Sequence, residues 1–159
     1  QTFATVGVLA VSCGDEVNYV NANFIAKEKG IDLTTSEFSN HSGYQNKVSI
    51  NITTPTGVKT ISGTVFNEDV QRIVEINGFP LDIEPKGKMI IMRNHDVPGV
   101  IGEVGKILGN NNINIADFRL SRGKDGALAV ILIDEKACSD VLKKLDSLEA
   151  AIAVAYAEI

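Results

Sequence analysis

Apolar and polar positions change their period along this chain, and the changes mark its elements. Residues 2–13 are an apolar run that reads equally as helix or strand, and Gly14-Asp15-Glu16 breaks it. From Asn18 to Lys29, Val20, Phe24 and Ile25 fall at helical spacing, and Gly30 supplies a stop. The period then becomes two. Ile31–Thr34 and Lys47–Thr53 alternate apolar with polar side chains, as half-buried strands do. Pro55-Thr56-Gly57 predicts a hairpin turn into a strand at 58–66, and Asn67-Glu68-Asp69 turns the chain again. Residues 70–76 give a short strand or helix, and Asn77-Gly78 is a tight-turn signal before 79–83. The pattern predicts two helices on a small, mostly antiparallel sheet.

Glu84-Pro85-Lys86-Gly87 is a short polar linker, which places a domain boundary between residues 1–85 and 86–159. Beyond it the order is regular. Met89–Met92 is a strand. Pro98–Leu108 is a helix with Val100, Ile101, Val104, Ile107 and Leu108 on one face. Ile113–Leu120 and Ala127–Ile133 are strands joined around Gly123-Lys124-Asp125-Gly126. Ala137–Leu148 is a helix and Ala151–Ala157 a last strand. This is the βαββαβ order of a ferredoxin-like domain, so the expected class is α+β, in two small domains. Helices on one face of such a sheet leave the other face, or an edge, open to a partner.

Composition narrows the function classes. The formal net charge is −5, and the first 85 residues hold 5 Lys+Arg against 10 Asp+Glu while the remainder holds 10 against 10. Neither half is basic, which argues against nucleic acid or an anionic membrane surface as partner. Cys13 and Cys138 stand alone, outside any metal-ligand or C-x-x-C spacing, and a reducing, cytoplasmic setting follows. No apolar run reaches the roughly 18–20 residues of a membrane span. The chain starts at Gln1 without Met, and a piece of a longer protein is expected.

No residue set supports catalysis or a metal site. His41 lies in the polar stretch Ser39–Gly43, and His95 has no Ser, Cys or metal-ligand partner at useful spacing. Gly102-Glu103-Val104-Gly105 falls inside a predicted helix and makes no nucleotide loop. What remains is a constellation suited to binding. Pro98 fits the first residue of its helix, and Gly99 admits close approach of a ligand. Free N–H groups near Gly99, Val100, Ile101 and Gly102 can cradle a carboxylate. Asp96 can accept from an ammonium, and Asn94 and Asn114 each bring one acceptor and two donors. A free amino acid would be fully paired. Plainer readings stand beside this one. Capping the helix is the default reading of Asp96 in an isolated Asp-x-Pro, Asn94 is equally suited to an exposed strand end, and Asn110–Asn112 read as a turn with a left-handed residue and no binding role.

The motif Asp96-x-Pro98-Gly99-Val100-Ile101-Gly102, with Leu108-Gly109 and Ile113-Asn114-Ile115-Ala116, resembles the ACT domain, a small-molecule-sensing module of enzymes of amino-acid metabolism. Upstream, Asn18–Ala22, Ala26–Ile31, Ser62–Val65 and Ile76-Asn77-Gly78 resemble the intervening domain of long-form D-3-phosphoglycerate dehydrogenase. The resemblance covers nearly all of the chain. It implies the regulatory part of an NAD-dependent oxidoreductase of serine biosynthesis, with catalysis and NAD in other domains and no cofactor here. L-Serine would then bind at an ACT–ACT interface of a homo-oligomer for feedback inhibition, contacting Asn94, Asp96 and Asn114. Relatives often carry Arg where this chain has Val97. The family's intervening domain also implies an anion site, for which Arg72, the sole Arg of the acidic first half, is the candidate; a plain surface charge explains Arg72 as well. The regulatory part of an iron–sulfur L-serine dehydratase, or a dimerisation module with an empty site, are the alternative readings.

Overall fold

A computed structural model describes residues 1–37, 43, 44, 46–67 and 69–159. His41 therefore lies outside the described residues. The chain forms two compact units, Gln1–Gly43 and Tyr44–Ile159.

In the first unit the apolar run is helix α1 (Thr2–Cys13), followed by a 3-10 turn at Gly14–Glu16 and helix α2 (Ala22–Glu28). Leu9, Val17, Ala22 and Ala26 make its small core. The face expected of α2 is corrected: Val20 and Phe24 are exposed, and the helix is buried through Ala22 and Ala26. Small side chains let two short helices approach closely, which a spacing of large residues does not reveal. Ile31–Thr34 is exposed irregular chain and not the strand its alternation suggested. Alternation makes a strand only where a neighbouring strand takes up the backbone hydrogen bonds.

The second unit holds two four-stranded sheets. The first is a meander of β1 (Val48–Thr54), β2 (Gly57–Phe66), β3 (Val70–Ile76) and β4 (Phe79–Ile83), all antiparallel. Asn77 (φ 50°) and Gly78 (φ 81°) turn β3 into β4 with two left-handed residues, the geometry a two-residue hairpin demands. The second sheet is β5 (Lys88–Asn94), β6 (Ile115–Gly123), β7 (Gly126–Ile133) and β8 (Ala151–Glu158), in the antiparallel order β6-β7-β5-β8. Helices α3 (Val100–Asn110) and α4 (Ser139–Asp146) complete the ferredoxin-like layout. The chain is α+β, as its periods predict.

Strand alternation decides what each face meets. Ile90, Met92, Ala129, Ile131 and Ile133 pack with Val100, Val104 and Leu108 of α3 and with Val141 and Leu145 of α4. Met89, Leu128 and Val130 point the other way, into Ile73, Ile76, Phe79 and Ile83 of the first sheet. The second face of this sheet is therefore covered, not open, and the linker at 84–87 joins two sheets that share a core. Of the edges, β6 is paired on one side only within the chain.

Candidate functional site

The strand β5 ends at Asn94, on the helix-facing side. Asn94 is not an exposed strand-end residue; it is 3% exposed. Its amide Nδ2 donates to the carbonyl of His95 at 2.8 Å. That carbonyl can only accept, so the opposite side of the amide, Oδ1, is left buried without a partner. An orphaned buried acceptor costs about 1–3 kcal/mol.

The turn after β5 leads into α3 differently from expectation. The helix begins at Val100, and Gly99 is its N-cap in the left-handed region (φ 95°), with no side-chain cap. Pro98 thus precedes the cap and is not the first helical residue. The N–H groups of the first turn lie beyond the reach of intrahelical acceptors, and no capping side chain covers them. Asp96 does not cap the helix. Its carboxylate faces Arg122 of β6, with Nε 3.2 Å from Oδ2. His95, exposed, takes no part.

Pairing explains how Arg122 arrives there. Asn94 lies opposite Ala127, and Arg122 lies opposite Ala127 on its other side. The three form one row at one end of the sheet. Below that row lies a cleft of about 480 Å³. Its apolar lining is Met92, Val100, Val104, Phe118, Leu120 and Ala129, and its polar lining is Asn94, Asp96 and Arg122. The volume falls in the range of roughly 300–1,000 Å³ typical of small-molecule sites, and apolar walls with a few convergent polar groups are their usual make-up. Pro98, Gly99, Val100 and Ile101 line it as well. Ile101, expected on the inner face of its helix, is 52% exposed at the rim.

The cleft end is braced from behind. Phe79 of β4 lies under the guanidinium of Arg93, 4.6 Å from its carbon to the ring centroid, within cation–π range. A Cβ on Gly123 would meet the Phe79 ring at 2.9 Å, and one on Gly126 would meet the Asn94 carbonyl oxygen at 2.5 Å. These glycines let β4, β5 and the β6–β7 turn close around the cleft.

Asn114 is elsewhere. It precedes β6, whose Ile115 lies opposite Ile133, six residues along β7 from Ala127. At about 3.3 Å per residue, roughly 20 Å separate the two ends within one chain. Asn114 Nδ2 donates to Asp134 Oδ2 at 2.6 Å, and its backbone N–H to Glu135 Oε2 at 2.7 Å. A single chain therefore brings Asn94, Asp96 and the helix start together and leaves Asn114 apart.

Arg72 is a strand residue whose Nε lies 3.5 Å from Asp82 Oδ1, an ion pair across β3 and β4. Among the described residues no group of His, Cys, Asp and Glu is placed to hold a metal ion, and no helix is long and apolar enough to cross a membrane. Gly102 and Gly105 lie inside α3, so they form no loop for a dinucleotide phosphate.

Arg122 and the apolar walls are the site residues that spacing alone does not find. Counting outward from the Gly123–Gly126 turn pairs Arg122 with Ala127. The pairing of β5 with β7, which brings Asn94 into the same row, joins strands far apart in sequence and leaves no local signal.

Comparison with known proteins agrees with this architecture. Residues 2–77 match the family described as D-3-phosphoglycerate dehydrogenase intervening domain, and residues 88–150 match the ACT domain. The D-3-phosphoglycerate dehydrogenase of Bacillus subtilis is 39% identical over 127 residues, covering 80% of this chain and 24% of its own length. That of Archaeoglobus fulgidus is 31% identical over 157 residues, covering 96% and 30%. That of a Synechocystis strain is 28% identical over 144 residues, covering 89% and 26%. The matched regions cover 24–30% of the length of these relatives. The intervening-domain match favours the dehydrogenase reading, and the serine dehydratase alternative gains no support.

Proposed function

The chain belongs, by its regulatory domains, to the D-3-phosphoglycerate dehydrogenase family, and on that premise we propose that it senses L-serine for feedback control of serine synthesis. The single observation that carries the reading is the buried, unpartnered Oδ1 of Asn94 beside the carboxylate of Asp96 and the uncapped start of α3. Two acceptors suit an ammonium; the first-turn N–H groups and the helix dipole suit a carboxylate. The oxidation of 3-phosphoglycerate with NAD belongs to catalytic domains of the parent enzyme and runs through none of these residues.

Asn114 enters by symmetry. The centre of β6 is Arg119, and a two-fold axis there would pair the β6 edges antiparallel. The start of one strand would then lie beside the end of its mate, bringing the partner's Asn114 to the cleft mouth. Its Nδ2 is engaged by Asp134, which leaves its Oδ1 to accept from the ligand. The exposed apolar side chains Val97, Ile101 and Leu120 beside this edge support such a seam. Ligand bridging two chains would favour one inter-domain arrangement by roughly 1–3 kcal/mol per effector. In calorimetric titration, Asp96→Asn should abolish L-serine binding while the fold persists; unchanged affinity would refute the assignment.

A further inference from the structure

The cleft carries one charged side chain, Arg122, that the zwitterion reading leaves without a role. Among the described residues lining it, Arg122 is the one cation and Asp96 the one carboxylate. The two are in contact, yet the Arg122 side chain is 72% exposed. Its backbone is held, because Arg122 is paired with Ala127 and the next residue, Gly123, lies against Phe79. The guanidinium can therefore swing while its strand stays in place.

The geometry points to an ion-pair exchange, resting on the zwitterion reading above: Arg122 guards Asp96 in the protein alone, and moves onto the ligand's carboxylate when the ligand's ammonium takes its place. Charges are paired before and after. The α3 first turn and the guanidinium then share the two carboxylate oxygens, which have lone pairs enough for both. A bare amine would displace Arg122 and leave two cations around one carboxylate. A bare acid would meet a guanidinium already engaged. A molecule that carries both groups close together satisfies every charge, so Arg122 sets the selectivity of the cleft for zwitterionic amino acids over bare amines and bare acids.

The test is a calorimetric titration of the 159-residue chain with L-serine and with ethanolamine, which is serine without its carboxylate. The unaltered chain should bind serine and not ethanolamine. In Arg122→Gln, serine affinity should fall about tenfold or more, the loss of a charge-assisted hydrogen bond, while ethanolamine affinity rises. Arg122→Lys should lie between. A serine-to-ethanolamine ratio that survives Arg122→Gln would overturn the exchange, as would tighter serine binding by that variant, which would make Arg122 a mere competitor. If the unaltered chain binds no serine, the zwitterion reading itself fails and the exchange with it. If serine binds, Asp96→Asn abolishes it and the ratio does not move, the exchange alone fails.

Discussion

Asn94 and Asn114 lie at opposite ends of the ferredoxin-like sheet, and the protein treats them in opposite ways. At the β5 end, Asn94 is buried and half-satisfied, with apolar walls before it and Phe79 behind it. At the β6 start, Asn114 is held by Asp134 and Glu135 on the surface, and the next residue, Lys136, pairs with Glu158 of β8. The first end is short of a hydrogen-bond donor. The second is held in place by its own chain. The site proposed across a two-fold axis would use both kinds of end: one short of a donor, and one already held in place.

The most forceful way to break this contrast is Phe79→Ala. Removing a buried aromatic ring should cost about 3–5 kcal/mol in denaturant melts. Hydrogen exchange should rise first at residues 93–94 and 122–127, the cleft end that the ring supports, and last around Asn114. Uniform loosening of both ends would show that Phe79 is ordinary core.

A milder change sharpens it. Asn94→Leu removes an orphaned acceptor from a buried position and should leave stability within about 1 kcal/mol of the original, or raise it, because no unsatisfied oxygen remains. It should nevertheless abolish serine binding. Asn114→Leu should also weaken binding, but only in the dimer, and its surface position should hold the stability change to about 0.5 kcal/mol. Equal stability losses at the two sites would contradict the difference in their satisfaction.

The smallest effect concerns pH at the far end. The Lys136 ammonium holds the Glu158 carboxyl below its usual range, with a hydrogen bond from Tyr156 assisting. A carboxyl lowered on folding contributes stability that is present above its unfolded value and is lost as pH falls through the folded one. Both groups are solvent-exposed, so the contribution is small and screened by salt. Lys136→Met should flatten the acid limb of a stability profile slightly and leave the cleft unaltered. A change in serine affinity with that variant would mean the two ends are coupled more tightly than their separation suggests.

Legibility followed the range of the interaction that made each element. Residues 48–66, 79–83 and 88–158 were readable because alternation, the Asn77-Gly78 turn and the apolar stripe of α3 are local signals, while 70–76 stayed open between strand and helix. Ile31–Thr34 misled because alternation says nothing about whether a partner strand exists. Val20 and Phe24 misled because α2 packs through alanines. At the site, Asp96 and the Gly99 turn could be singled out from their spacing. Whether Asp96 capped its helix or faced the cleft could not, since either use needs the same residue in the same place.

Sequence alone therefore determined the element order beyond the linker at 84–87, the α+β class and the chemical character of the turn at 94–102, all of which depend on neighbours a few residues apart. Tertiary structure decided the rest. Only the pairing of β5 and β6 on either side of β7 puts Arg122 against Asp96, and only that packing buries Asn94 without a donor. The same pairing sends Asn114 to the opposite end. Backbone hydrogen bonds between distant strands set these placements, and no short stretch of chain encodes which distant strand it will meet.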